Sequence, residues 1–167
     1  MKSTVSKKIF SLFPVLFFLL APFHPLFSDW TTSDRYSYFS RLENGQKTGL
    51  WSIRDSMGSE ILVFSKQVGY ADKNKIIELL NLQFDPAFNP GIEYVGRDCS
   101  TVRVRVIDGM KLSEQMGSTG AAAYMAIVTY SLSSLDDIDF VYFEMEEGTH
   151  ARPGRYGRMS FYRFWPL

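Results

Sequence analysis

The sequence predicts an α+β domain: a mostly antiparallel or mixed sheet of five to six strands, with two helices packed on one face. Three observations predict it. Residues 101–106 (Thr-Val-Arg-Val-Arg-Val) alternate strictly between apolar and polar, the period of a strand buried on one side only. Two stretches, entered at Asp72 and at Ala121, change to the helical period. Short alternating runs lie around them, bounded by Asn, Gly and Ser turns, and a 16% aromatic content favours strands there. A chain of 167 residues with 46% hydrophobic and 22% charged residues fits one globular domain behind a leader.

The leader is residues 1–28. A basic start holding Lys2, Lys7 and Lys8 precedes an uncharged apolar run over residues 9–20, then Pro22, Pro25 and the small residue Ser28. That run has the length of a signal peptide and is shorter than a membrane span. An uncleaved anchor is the alternative, because apolar character continues to Phe27. Export to the periplasm or the outer side of the membrane is expected, with membrane contact only through this N-terminal segment. Of 18 basic residues, the three leader lysines leave 15 against 18 acidic ones in residues 29–167. A mildly acidic body argues against nucleic-acid binding, which draws on concentrated basic surface.

In chain order, residues 35–42 form a first expected strand, closed by the tight-turn pair Asn44-Gly45. Residues 50–54 and 60–65 alternate again on either side of a Met57-Gly58-Ser59 turn, which makes a meander. Trp51 on the first of these is either a core or rim aromatic or a platform for a ligand. Asp72 then caps a helix whose Ile76, Ile77, Leu79, Leu80 and Phe84 share one face. Asp85-Pro86 and Asn89-Pro90-Gly91 end it. Residues 93–100 approach the next strand without a clear period.

On the strand of residues 101–106, Val102, Val104 and Val106 face one way while Arg103 and Arg105 face the other, either as a solvated outer face or as an anion-binding pair. In the helix of residues 121–135, Ala121, Met125, Val128, Leu132 and Leu135 form a continuous apolar stripe. Ala122, Ala126, Thr129 and Ser133 form a flank of small residues that lets either the sheet or another chain approach closely. Gly117-Ser118-Thr119-Gly120 opens the helix, with Ser118 or Thr119 as its cap; a phosphate site at the helix start and an RNA-clamping Gly-x-x-Gly loop are the alternatives. After Asp136-Asp137, residues 138–145 form the following strand.

That order of a Val-rich strand at 102–108, a connection at 111–116, the Gly-Ser-x-Gly helix start at 117–120, a helix over 124–135 and a strand running to Gly148 resembles the GerMN (sporulation and spore germination) domain. The likeness covers about residues 60–148 and is specific only in 101–148. Asp85-Pro86 stands where that family has Gly-Pro, and Thr129-Tyr130 or Ser131-Leu132 stands for its Thr-Leu. The resemblance implies an exported, non-enzymatic α+β module akin to ring-building envelope motifs, without catalytic residues.

The tail adds an acidic group, Glu144, Glu146 and Glu147, then a basic Gly/Pro-containing loop over 149–157 with Arg152 and Arg155, and a last alternating strand over 159–165. The acids lack the order of a calcium loop, and His150 has no second histidine or cysteine near it for zinc or a serine triad. Cys99 is the single cysteine and closes no internal disulfide. No cofactor and no catalytic group is expected. The leading expectation is a non-catalytic envelope module that pairs with itself or another envelope protein, through a strand edge or the helix flank. Ala122, Ala126, Thr129, Arg152 and Arg155 are its contact residues, and Ala126→Glu is expected to spare the fold and abolish assembly. The alternative is a binder of a small glycan or anion, using Trp51, Arg103 and Arg105.

Overall fold

Val102, Val104 and Val106 are buried and the arginines between them exposed, so the alternation at residues 101–106 does specify a one-sided strand. The computed structural model describes residues 48–56 and 58–164. The expected leader, the expected strand at 35–42, its Asn44-Gly45 turn and Trp165 lie outside the described residues.

The α+β class holds, but the strands divide between two sheets. β1 (Gly49–Ser56) and β2 (Ser59–Gln67) form an antiparallel ribbon of two strands; β3 (Gly91–Asp98), β4 (Thr101–Ile107), β5 (Phe140–Glu144) and β6 (Gly154–Gly157) form a second sheet in that order. The expectation of one sheet of five to six strands is thereby corrected. The ribbon packs on the end of a helix instead of joining the larger sheet: the Trp51 amide donates to Ser131 Oγ at 3.0 Å and the Gly49 amide to Ser134 Oγ at 3.0 Å. β4 and β5 run parallel, Thr101 opposite Phe140 and Arg105 opposite Glu144, which requires a crossover between them.

α1 (Lys73–Gln83) starts where expected, Asp72 Oδ1 accepting from the Lys75 amide at 2.9 Å. It buries Ile76, Ile77 and Leu80 and ends as Phe84 turns away before Asp85-Pro86. Its Asn81 side chain donates to the Ile92 carbonyl (2.8 Å) and accepts from the Ile92 amide (2.9 Å), which ties the helix to the edge strand β3. The unclear run at 93–100 is that strand and its turn, with a bulge between Tyr94 and Gly96 and Cys99 at φ 49°.

The crossover holds a π-helical turn, Lys111–Gln115, followed by α2 (Gly117–Leu132). Gly-Ser-Thr-Gly is the first turn of α2, with only Gly117 in the left-handed region, at φ 68°. Neither Ser118 nor Thr119 caps it; the flanking residue is Met116, which makes no side-chain capping bond. The stripe of Ala121, Met125, Val128 and Leu132 is buried as its spacing requires, and Leu135 is buried too but lies beyond the helix, which ends at Leu132 and not at 135. Ala126, Thr129 and Tyr130 are buried as well. A helix apolar on nearly every side is a core element. Here α2 touches the ribbon, α1, β5 and the C-terminal turn.

The last segment differs most from expectation. Residues 154–157 of the supposed loop pair with β5 as β6, and Arg158–Phe164 is 3₁₀-helical with a break at Phe161 (φ −122°), instead of a strand. Phe161 and Phe164 are both buried and stand three apart, the repeat of a 3₁₀ turn, while Tyr162 between them is exposed. With the π-helical turn, this makes more helical segments than the two expected.

Candidate functional site

The helices cover one face of the four-stranded sheet. Ile92, Val102, Val104, Val106, Val141 and Phe143 point into the common core with α1 and α2. By the same register, Glu93, Arg103, Arg105, Phe140, Tyr142, Glu144 and Arg155 share the opposite face. Glu144 bridges two arginines there: Arg103 Nη2 donates to its Oε1 at 2.6 Å and Arg105 Nη2 to its Oε2 at 3.3 Å. Arg105 Nη1 also reaches Glu93 Oε1 at 2.7 Å. The Arg103 guanidinium lies 5.4 Å from the centre of the Tyr142 ring, and that of Arg155 lies 4.0 Å from the centre of Phe140. Arg97, registered opposite the core-facing Val102, is not part of this row; it forms a separate ion pair with Asp137.

The side chains of Arg103 and Arg105 remain 50% and 55% exposed, so water screens their ion pairs and each contributes up to about 1 kcal/mol. The row is a flat, solvated surface of both signs with aromatic rings beneath the guanidinium groups. Sequence patterning placed Arg103 and Arg105 on an outer face. It did not bring Arg155, Tyr142, Glu93 or Glu144 to it, because the parallel β4–β5 register and the pairing of β6 leave no mark in local periodicity.

Arg152 lies elsewhere. Residues 148–152 are pinned to the π-helical turn: the Thr149 amide and hydroxyl donate to the two Glu114 carboxylate oxygens at 2.9 and 3.0 Å, and the His150 amide donates to the Ser113 carbonyl at 2.9 Å. Those Thr149 bonds hold the Glu114 carboxyl below its ordinary pKa, the backbone bond being the larger cause. Gly148 is required by the close approach, since a Cβ there would press on Ser113 and Glu114. Ser118 Oγ and His150 Nδ1 are 3.0 Å apart, so Ser118 joins the loop to α2 instead of capping the helix. Arg152 Nε meets Glu147 Oε1 at 3.2 Å.

Trp51 does not join Arg103 and Arg105. Its ring packs edge-on against Phe64 and Tyr130, on the ribbon side of α2, while the arginines stand on the sheet face turned away from that helix. The small-residue flank is also inside: Ala126 and Thr129 have no exposed surface and Ala122 is half-buried. Ala126 and Thr129 are therefore closed to a partner in this fold, and a glutamate at 126 would bury a charge in the core.

Sequence reasoning also missed Arg158, which is 5% exposed and stacks near the rings of Tyr130 and Trp51. No group of three or more His, Cys, Asp or Glu among the described residues could hold a metal ion, and no described helix is long and apolar enough to cross a membrane. No protein-family model, curated protein or solved structure matches this chain.

Proposed function

We propose that this protein is a non-catalytic assembly module of the cell envelope that pairs with a second copy of itself through the open face of its four-stranded sheet. The observation that carries the reading is the alternation of charge on that face, where Arg103, Arg105 and Arg155 are interleaved with Glu93 and Glu144 around Tyr142. A surface holding both signs in one row is self-complementary: a two-fold axis can set the arginines of one copy against the carboxylates of the other. Arg and Tyr are the residue types that interfaces favour. The export leader and the likeness of residues 101–148 to the GerMN domain support the same reading and its location.

The contact residues are now Arg103, Arg105, Tyr142 and Arg155, in place of the buried Ala126 and Thr129. A photo-crosslinker at position 142, read by mass spectrometry beside sedimentation velocity across a concentration series, tests this. A self-adduct at 142 and a mass that rises with concentration are expected. A monomer at millimolar concentration, or capture of a foreign protein alone, would overturn self-pairing.

A further inference from the structure

The pinned loop, the start of α2 and the 3₁₀ turn enclose an open cleft of about 360 Å³ on the helix side of the sheet. Its lining divides by chemistry. Met125, Ala151 and Phe161, all buried, make an apolar floor, and Ala122 extends it. His150, Arg152 and Arg163 stand around it, and no carboxylate lines it. Thr149, Tyr156 and Ser160 add hydroxyl groups.

This arrangement is preformed. The Tyr156 hydroxyl donates to the Arg152 carbonyl at 2.9 Å and the Gly148 amide to the Ala151 carbonyl at 3.0 Å, so the backbone of the loop that carries His150 and Arg152 is hydrogen-bonded within itself and to β6. Beneath it, Glu114 holds Thr149. A site whose loop is already ordered does not lose that entropy on binding. Arg152 engages Glu147 through Nε, and Arg163 has no ion-pair partner among the described residues, only the ring of Phe164 at 4.5 Å. Two arginines on the rim of a cleft with an apolar floor are the residue types that recognise an anionic head and an apolar body together.

We infer that this cleft is a binding site for a small organic anion, a phosphate or carboxylate group carried on a ring-sized apolar body. It is separate from the sheet face proposed for assembly and uses none of its residues. The head sits between Arg152 and Arg163 with His150 alongside, and the body lies on Met125 and Phe161. The polar lining excludes a purely apolar guest, and the absence of carboxylates from the lining disfavours cations.

Phenyl phosphate, benzoate and inorganic phosphate titrated into the full chain test the inference, read by calorimetry and by backbone amide shifts. One-site saturable binding of phenyl phosphate or benzoate is expected, with shifts concentrated at residues 149–163. Inorganic phosphate is expected to bind about tenfold more weakly, since it leaves the floor uncovered. Arg152→Ala and Arg163→Ala should each weaken binding about tenfold, the loss of one charge-assisted contact. Both side chains lie at the surface, so an unchanged melting temperature identifies the loss as one of binding. Lack of saturable binding by either organic anion, equal affinity for inorganic phosphate, or binding undiminished in the double arginine variant would each overturn the site.

Discussion

Arg158 Nε donates to Ser133 Oγ at 2.8 Å inside the core, and its Nη2 reaches the Ser133 carbonyl at 3.1 Å and the Tyr130 carbonyl at 3.4 Å. A guanidinium therefore closes the C-terminal end of α2, where carbonyls lack helical partners and the helix dipole favours positive charge. Ser131 and Ser134 beside it bind the ribbon, so one short serine-rich segment joins helix, ribbon and C-terminal turn.

Replacing Arg158 strands those carbonyls. Arg158→Met is expected to lower stability by about 3 kcal/mol, because buried acceptors lose a charged donor. Arg158→Lys should recover little of it, since an ammonium cannot present the same fork. Urea unfolding of the three proteins checks this; a loss in the methionine variant under about 1 kcal/mol would mean that Arg158 is not the closing group.

Thr129 predicts the opposite sign. Its Oγ1 is buried without a hydrogen-bond partner, so Thr129→Val removes a desolvated hydroxyl at nearly constant volume. Stability should rise by about 1 kcal/mol, and self-association should not change. The same unfolding curve and a sedimentation run measure both. Loss of assembly in this variant would restore the helix flank as an interface.

How legible these features are depends on whether their signal is local. The burial of β4 follows from alternating valines, and that of α1 from Ile76, Ile77 and Leu80 behind an Asp72 cap; both patterns lie within one element. The division into two sheets is not local. It rests on serines at the end of α2 that bond the ribbon, and nothing in residues 50–65 encodes a preference for a helix end over a sheet edge. The C-terminal turn misleads for a related reason: Phe161 and Phe164 fit a three-residue repeat, yet the polar residues between them imitate strand alternation over so short a run. The candidate face was half visible, its β4 arginines from alternation, its β5 and β6 residues only from register.

On that face, Arg103→Glu tests assembly without endangering the fold. The lost pair is exposed and contributes up to about 1 kcal/mol, so the melting curve should move little. With Glu144 and Glu93 already there, however, a third element of the row becomes negative and opposes the facing copy. The variant should remain monomeric where the wild type pairs, and wild-type pairing should weaken as salt rises. Pairing that is indifferent to both would remove the charge row from the interface.

Acid should release the loop at 148–152, with a midpoint that the geometry sets. Thr149 holds the Glu114 carboxyl below the ordinary glutamate value through its amide and its hydroxyl. The unfolded chain therefore takes up this proton at a higher pH than the folded one. The stabilisation is complete above the unfolded value, declines as pH falls, and is gone once pH passes below the lowered folded value. The Thr149 amide proton shift, followed from neutral pH downward, should titrate with that lowered midpoint. In Glu114→Gln the titration should disappear. Gly148→Ala should act on the same contact at neutral pH by pressing a methyl group on Ser113 and Glu114, moving the Thr149 amide toward its released position. A midpoint at the ordinary glutamate value would show that Thr149 does not hold the carboxylate in solution.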